Sequence, residues 1–321
     1  MDDDLEAYIA GLNTTLYDRY DEERFRWKFV ENPFNLGFVS IVVVEEEATG
    51  EPVGFNGFLP LEVRGGDDRF TVVQGCDGFV DRGHRRRGLF QRTIEFMSRE
   101  LARRGPELLM GFNFSGSTAA ARRVGAVHVC DIHRWRLQPG KLEDGSRRPE
   151  EVELAPCSVE EVHEAYERWA DGTSRLHVHR SLDYLRWRFE RSPLREHALE
   201  LIEAEGSIRG YIVWNLTEDD GRTELQIDDY VLLGSVDLLS GAILELVRRD
   251  ADLTLLEVRG PMDDALDGVL RGLGFEREPE PLYSLIMRGI HGVERVGDEL
   301  IRGGVTISQP ERWHLTSSDM F

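Results

Sequence analysis

Residues 80–90 read VDRGHRRRGLF and place four arginines within six positions, beside a glycine. A glycine lets the backbone approach a ligand closely, and arginine supplies positive charge with planar hydrogen-bond donors. If a helix begins directly after this stretch, its unpaired N–H groups and partial positive charge face the same ligand. The stretch therefore predicts a loop that holds a phosphate, and in particular the pyrophosphate of a nucleotide-type cofactor.

The segments on either side of this loop supply a strand and a helix. A strand is predicted at about 70–80, and apolar residues then recur at helical spacing, namely Phe90, Ile94, Met97 and Leu101. The helix is predicted over about 89–104, where Gly105 and Pro106 end it. The apolar segment ELLMGF that follows, at 107–112, predicts a buried strand. Strand, helix and strand then form a right-handed crossover with a parallel pair at the middle of the sheet.

The chain also contains an internal repeat. RWKFVENP at 26–33 recurs as RWRFERSP at 186–193, so that Trp27 corresponds to Trp187. Each copy precedes two apolar segments joined by a glycine turn, which predict a β-hairpin. These segments are 38–47 and 50–60 in the first copy, and 197–205 and 206–216 in the second. The repeat indicates two copies of one folding unit, in which the two tryptophans are predicted to be packing residues.

Two domains are predicted on this basis, residues 1–140 and 150–321. Residues 138–151, QPGKLEDGSRRPEE, are polar, rich in proline and glycine, and lack periodicity, so they are predicted to join the two. The first copy continues with a predicted helix at about 117–124 and a strand at about 126–137. The predicted fold class is α/β (α+β), in which each domain is a mixed, mostly antiparallel sheet with a central parallel pair flanked by helices.

Composition bounds the environment and the partners. The net charge is −21, and lysine occurs only at Lys28 and Lys141, which is typical of proteins adapted to a salt-rich cytoplasm. Such a surface repels polyanions and argues against nucleic acid as a partner. No run of about 18 apolar residues predicts a membrane helix, and no leader pattern begins the chain, so a cytoplasmic protein is predicted. Cys76, Cys130 and Cys157 are scattered, which predicts neither a disulfide framework nor a metal site.

The loop and its surroundings resemble the GNAT-type N-acetyltransferases. The signature of that family is R/Q-x-x-G-x-G/A between its fourth strand and third helix, and residues 85–90 read RRRGLF at the same place. The strand that enters the loop, GCDGFVDRGH at 75–84, and the order of elements over about residues 20–137 also match. The last position of the signature departs from the family, because it holds Phe90 instead of glycine or alanine.

The resemblance implies two GNAT-like domains and acetyl-coenzyme A as the co-substrate. It implies that the pyrophosphate lies on the loop and that the pantetheine arm pairs with the backbone of the preceding strand. The residues assigned in this way are Arg85, Arg86, Arg87, Gly88, Leu89 and Phe90 for the pyrophosphate, and Phe79 and Val80 for the pantetheine arm.

The second copy is predicted to keep the fold without the cofactor site. LQIDDYVLL at 225–233 corresponds to the strand that enters the loop, but GSVDLLSGAILELV follows it, with no basic residue and no R-x-x-G. Asp237 would repel a phosphate at this position. Tandem acetyltransferases with one active half are known in the superfamily, and the resemblance implies the same arrangement here.

The source of the proton for the departing thiolate is open. Amide formation from a thioester needs a neutral amine, donors for the developing oxyanion and a proton for the thiolate. The tyrosine that often supplies this proton in the family corresponds to Ala121. Ser115 and Ser117, at the start of the same helix, are candidates to donate to the sulfur, although Ser117 would also suit the N-cap of that helix.

Three further positions are candidates for the chemistry. Asp77 lies three residues before Val80 and could orient water or the amine, or it could be a surface acid. Asn113 ends its strand and could hold the pantetheine arm or the substrate, or it could be a turn residue. In some tandem relatives the chain terminus reaches the active site as a base, which makes Asp319 and the carboxylate of Phe321 candidates here.

The resemblance implies an N-acetyltransferase that transfers the acetyl or acyl group of acetyl-coenzyme A to a primary amine by direct attack in a ternary complex. The acceptor would be a small-molecule amine or a protein amine, with no nucleic acid, membrane or metal involved, and an oligomer is possible. The alternative is a non-catalytic acyl-coenzyme A-binding or scaffold protein on the same fold, which Ala121 and Phe90 favour. A third possibility is an aminoacyl-transferring relative that uses tRNA, which the acidic surface opposes.

Overall fold

The computed structural model describes residues 2–17, 19–142, 150–219 and 221–321. Its helices are α1 (Asp2–Thr15), α2 (Glu22–Phe25), α3 (Leu89–Leu101), α4 (Ser115–Arg123), α5 (Val159–Asp171), α6 (Leu182–Leu185), α7 (Asp237–Arg249) and α8 (Asp264–Gly272). None of these helices is long and apolar enough to cross a membrane.

The strands are β1 (Ile41–Glu45), β2 (Pro52–Gly65), β3 (Asp68–Val80), β4 (Leu108–Asn113), β5 (Val127–Leu137), β6 (Glu153–Pro156), β7 (His177–Val178), β8 (Ala198–Ala204), β9 (Ser207–Asp219), β10 (Arg222–Leu232), β11 (Leu253–Pro261), β12 (Glu276–Arg277), β13 (Tyr283–Gly289), β14 (Val293–Val296), β15 (Glu299–Arg302) and β16 (Val305–Thr306). In the described part of the chain, the main sheet has the order β1-β2-β3-β4-β13-β5-β11-β10-β9-β8-β6. β12 pairs with β5 and β7 with β2, while β14, β15 and β16 form a separate small sheet.

The predicted fold class is confirmed. Within each copy the crossover brings two strands together in parallel, β3 with β4 through α3 and β10 with β11 through α7, while the other neighbours along the main sheet are antiparallel. The helix α3 follows from the predicted apolar spacing, since Ile94, Met97 and Leu101 are buried against the sheet. It ends at Leu101, three residues earlier than predicted, and α4 begins at Ser115, two residues earlier.

A strand from late in the chain completes the early part of the sheet, which the sequence did not indicate. β13 lies between β4 and β5, antiparallel to both, and β5 in turn pairs with β11. Leu285 and Met287 pack into the core on one face of the sheet, and Ile286 packs into the core on the other. The sheet is therefore continuous through both copies of the repeat. The domain boundary at 138–151 stays a prediction, and its residues 143–149 lie outside the described part.

The repeated motif forms the same structure twice. Residues Arg26–Val30 and Arg186–Glu190 each form a single π-helical turn after a short helix. Trp27 and Trp187 are 2% and 1% exposed, and their rings stack with centroids 4.9 Å apart. Both tryptophans are thus packing residues, and the two copies meet through them.

Candidate active site

A cleft opens where β3 and β4 separate. The two strands pair in parallel from Val72–Leu108 to Gly75–Gly111, and beyond these positions β3 pairs only with β2 while β4 pairs with β13. A cavity of about 560 Å³ occupies the gap. Its wall includes Phe90 of α3 on one face of the sheet and Tyr17, which follows α1, on the other. The cavity therefore passes between the parted strands.

The wall of β3 carries a bulge at Asp77. Phe79 pairs with Phe55 and Cys76 with Gly57, so that two residues of β3 stand opposite one residue of β2. Asp77 adopts a left-handed conformation with φ of 50°, which is uncommon for a residue other than glycine. The bulge turns its carboxylate inward, where the side chain is fully buried. Asp77 is therefore not the surface acid that the sequence left as an alternative.

Three donors hold the Asp77 carboxylate. The ammonium Nζ of Lys28 lies 2.8 Å from Oδ2, Tyr17 donates its hydroxyl to Oδ1 at 2.5 Å, and Tyr20 donates to Oδ2 at 3.3 Å. Burial opposes ionisation of Asp77, but the charge and hydrogen bond of Lys28, with the hydrogen bond of Tyr17, outweigh it and hold its pKa below the usual range. Asp77 thus stays ionised and its oxygens are occupied.

The arginine loop has the geometry expected of an anion-binding loop. Gly88 is the N-cap of α3 and adopts a left-handed conformation with φ of 75°, so no side chain caps the first N–H groups of the helix. Arg85, Arg86 and Arg87 are exposed, and no carboxylate of the described residues lies within ion-pair distance of them. Arg87 donates to the carbonyl of Gly83 at 3.2 Å. The first N–H groups of α3 and three cations therefore lie together at the start of the helix, whose second residue, Phe90, lines the cavity.

Successive residues of β3 direct their backbone N–H and C=O groups to opposite edges of the strand. Asp81 donates its N–H to the carbonyl of Val53 in β2, and alternate residues of a strand point to opposite edges. Val80 therefore faces the open edge, whereas Phe79 faces β2 and its ring packs in the core. Neither residue lines the cavity, and of the two only Val80 turns its backbone groups to the edge that β4 leaves open. The carbonyl of Val80 accepts a hydrogen bond from Nε of Arg85 at 2.8 Å, which ties the loop to the strand.

Phe90, the position that departs from the signature, lies inside the cleft. Its ring lines the cavity, and its Cε2 atom would lie 3.4 Å from a Cβ placed on Gly78. Leu89, the first residue of α3, is half-buried beside it. The ring therefore occupies room that glycine or alanine leaves open, whereas Gly78 gives room chiefly to Asn56, whose Oδ1 would lie 2.7 Å from a Cβ at that position.

The start of α4 brings some of the predicted residues to the cavity and leaves one outside. Asn113 and Ser117 line the cavity, whereas Ser115 is exposed and does not. The N-cap of α4 is Phe114, and Ser117 donates its hydroxyl to the carbonyl of Phe114 at 3.0 Å, so the N-cap alternative for Ser117 is wrong. Ala121 also faces the cavity.

Distant segments complete the wall, and sequence spacing gave little sign of them. Arg259 of β11, Tyr283 of β13 and Phe321 all line the cavity. Phe321 stacks on Trp187, with ring centroids 5.5 Å apart. Asp319 does not reach the cavity wall, because its buried carboxylate binds the guanidinium of Arg180 at 3.2 Å. Strand pairing places β11 and β13 beside the early part of the sheet, and the packed tail adds Phe321.

The second copy lacks the features of the loop. α7 begins at Asp237 after a turn in which Ser235 accepts a hydrogen bond from the N–H of Asp237 at 3.1 Å. The bulge residue of its strand, Asp228, accepts hydrogen bonds from Asn215 at 2.6 Å and from Gln226 at 2.5 Å. No arginine stands between β10 and α7. The absence of a cofactor site in this copy stays a prediction.

Solved structures share this fold. A GCN5-related N-acetyltransferase from Anabaena variabilis has a TM-score of 0.68 at 13% identity, covering 91% of this chain and 71% of that chain. A GCN5-related N-acetyltransferase from Kribbella flavida has a TM-score of 0.62 at 15% identity, covering 90% and 69%. Eis1 from Mycobacterium abscessus has a TM-score of 0.57 at 15% identity, covering 90% and 71%.

The chain therefore has the fold of the GCN5-related N-acetyltransferases. Identities this low establish the fold alone. No protein-family profile matches the chain, and no curated protein matches it significantly.

Proposed function

We propose that the chain is an acetyl-coenzyme A-dependent N-acetyltransferase that acts on a primary amine, with its site in the first copy of the repeat. The observation that carries this proposal is the cleft between β3 and β4, which Phe90 lines at the start of α3, where no side chain caps the helix and three exposed arginines have no ion-pair partner among the described residues. A pyrophosphate at the loop and a thioester in the cleft would fit this arrangement. Within the described residues no cluster of side chains suits a metal ion, so the proposal involves none.

The residues of the site divide into three tasks. Arg85, Arg86, Arg87 and the N–H groups after Gly88 would bind the pyrophosphate. The N–H of Val80, on the open edge of β3, would bind the pantetheine arm as a neighbouring strand would, and Asn113 would hold its other side. Bound acetyl-coenzyme A supplies the activated acyl group, and the amine would enter from the face that Tyr17 and Phe321 line.

The amine loses a proton as the amide forms and the departing thiolate gains one, so a hydroxyl in the cleft would donate to the sulfur and recover a proton from the amine. Ser117 is the predicted candidate that lines the cavity, whereas Ser115 does not. Asp77 would serve as an anchor for Tyr17 on the cavity wall, because its oxygens are occupied and its lowered pKa makes it a weak proton acceptor. Direct attack requires that the cleft align the amine with the thioester and that the amine be neutral when it attacks.

Calorimetric titration with acetyl-coenzyme A in high potassium chloride tests the site. We expect one site per chain in the wild type. Gly88→Val places a branched side chain on the loop and should weaken binding by about tenfold or more. Gly206→Val is the matched control, since Gly206 has a similar φ of 71° on the exposed turn between β8 and β9 and does not line the cavity. Equal affinity in the two variants would contradict the proposed loop, and two sites would contradict the silent second copy.

A non-catalytic acyl-coenzyme A-binding protein is the second candidate. Ala121 favours it, because this buried methyl group faces the cavity where the family often has an acidic hydroxyl. Release of coenzyme A in the presence of primary amines supports the enzyme. Tight binding of acetyl-coenzyme A with no release for any amine supports the binding protein.

A further inference from the structure

The side chains that line the cavity carry a net positive charge, whereas the whole chain is strongly negative. The net charge of the chain is −21, yet Asp77 is the single carboxylate side chain among the described residues that line the cavity, where Phe321 adds its main-chain carboxylate and the cations are Arg259 and Arg288. Lys28 and two tyrosines already occupy the Asp77 carboxylate. A second ammonium group on the acceptor would therefore find no free partner among these side chains.

Arg259 retains donors for a ligand. Its Nε donates to Glu257 Oε1 at 2.5 Å, and its Nη2 lies 2.5 Å from the same oxygen. A guanidinium has five N–H donors, and none of the described residues accepts a hydrogen bond from Nη1. The fork formed by Nη1 and the second hydrogen of Nη2 is therefore available on a residue of the cavity wall.

The strands around Arg259 hold an excess of positive charge. β5 and β11 place Arg134 directly opposite Arg259, and like charges opposite each other destabilise a sheet. Arg134, Arg136 and Arg259 share Glu257 and Glu278 as their ion-pair partners. The buried Nε of Arg134 makes no hydrogen bond to any described residue. Three cations thus share two carboxylates, and one guanidinium is incompletely satisfied.

We propose that the acceptor is a primary amine that also carries an anionic group, a carboxylate or a phosphate, and that Arg259 binds this group. The proposal rests on the acetyltransferase function proposed above. An anion at the free fork would accept two charge-assisted hydrogen bonds and would offset the excess charge between β5 and β11. The anion would enter on the face of Tyr283 and Phe321, while the amine points toward the cleft.

Matched acceptors test the proposal through the release of coenzyme A. The pairs are γ-aminobutyrate against n-butylamine and phosphoethanolamine against ethanolamine, which share an amine and differ in the anion. We expect kcat/KM for the anionic member of at least one pair to exceed that of its neutral partner by about ten- to hundredfold. The pair that shows the larger ratio identifies the anion as carboxylate or phosphate.

Variants of Arg259 then test whether this residue causes the ratio of kcat/KM between the anionic and neutral acceptors. Arg259→Gln should reduce the ratio to about one, and Arg259→Lys, which keeps the charge without the fork, should recover part of it. The fold should tolerate both changes, because Glu257 keeps Arg134 and Arg136 as partners. Arg248→Gln, on an exposed position of α7 outside this cavity, is the matched control and should keep the full ratio.

The outcomes separate this inference from the proposed function. Turnover of amines with ratios near one, or ratios that survive Arg259→Gln, would overturn the anion site and leave the acetyltransferase function standing. If no amine is turned over, calorimetric titration with γ-aminobutyrate and phosphoethanolamine decides. Binding that disappears in Arg259→Gln would support the anion site even then, and no binding to the wild type would overturn it.

Discussion

The indole Nε1 of Trp27 donates a hydrogen bond to the main-chain carbonyl of Trp187 at 2.8 Å, and Nε1 of Trp187 donates to the carbonyl of Trp27 at 2.7 Å. The two residues hold equivalent positions in the repeat, so the contact is reciprocal, as it is across the interface of a symmetric dimer. The two copies of the repeated motif are thus related by an approximate two-fold symmetry at this contact. The cavity lies beside this contact, since Phe321 stacks on Trp187.

Removing either of the two reciprocal hydrogen bonds should reduce the free energy of unfolding by a similar amount. Trp27→Phe and Trp187→Phe each leave one buried carbonyl without its donor, which should cost about 1–3 kcal/mol of unfolding free energy. Because the rings stack, the loss in the double variant should differ from the sum of the single losses. Chemical denaturation of the three variants measures this. A large loss in one single variant beside none in the other would contradict a symmetric contact.

The Lys28–Asp77 pair should be essential for stability. Lys28→Met leaves a buried carboxylate unpaired, which should cost about 3–5 kcal/mol, and Asp77→Asn in the same chain should restore part of the loss. In the wild type the lowered pKa of Asp77 contributes stability above its unfolded-state value, and this contribution is lost as pH falls through the folded pKa.

In a variant without Lys28, the effect of pH on the stability contributed by Asp77 should have the opposite sign. The unpaired carboxylate of Asp77 would then have a raised pKa, so acidification should relieve part of the destabilisation. Denaturation at two pH values compares the variants. A Lys28→Met variant as stable as the wild type would show that the pair contributes little.

Buried His177 should make stability depend on mildly acidic pH. Its Nδ1 lies 2.8 Å from the carbonyl of Arg175, and Tyr166 bonds to its Nε2 at 2.9 Å, which suits the neutral ring. Burial and the charge of Arg180 lower its pKa to about 3. The unfolded chain therefore binds a proton near pH 6.5 that the folded chain does not, and stability falls as pH drops below this value.

The contribution of His177 to the pH dependence of stability can be measured by comparing the wild type with a variant that lacks this histidine. From about pH 7.5 to about pH 5.5, His177 should remove about 1 kcal/mol of unfolding free energy, and His177→Gln should lack this contribution. Denaturation midpoints of both proteins at the two pH values give the difference. Parallel pH dependences in wild type and variant would rule out the assignment.

The inserted strand should make the early part of the chain depend on the late part. A fragment of residues 1–142 lacks β13, so β4 and β5 each lose a neighbour and expose an unpaired edge. We expect this fragment to be unfolded or aggregated and to recover native-like circular dichroism when mixed with a fragment of residues 150–321. A folded, monomeric fragment of residues 1–142 that binds acetyl-coenzyme A would contradict this dependence.

The local parts of the site could be predicted from sequence because local chemistry specifies them. The arginines and Gly88 predict an anion-binding turn. The spacing of the apolar residues from Phe90 to Leu101 predicts the helix that follows it. The buried position of Asp77 could not be predicted in this way. A carboxylate is normally exposed, and only a bulge that aims it at Lys28, which lies 49 residues earlier in the chain, reverses that expectation.

The sequence by itself determined the repeat, the crossover units with their parallel pairs and the loop of positive charge, since each depends on the periodicity and turn chemistry of neighbouring residues. The tertiary structure alone decided which strand lies beside β4 and which residues close the cavity. Strands pair through backbone N–H and C=O groups that nearly every residue has. The side chains of β13 therefore do not predict which strands it pairs with. Arg259, Tyr283 and Phe321 reach the cleft only because the sheet and the tail bring distant segments together, and spacing along the chain contains no measure of that distance.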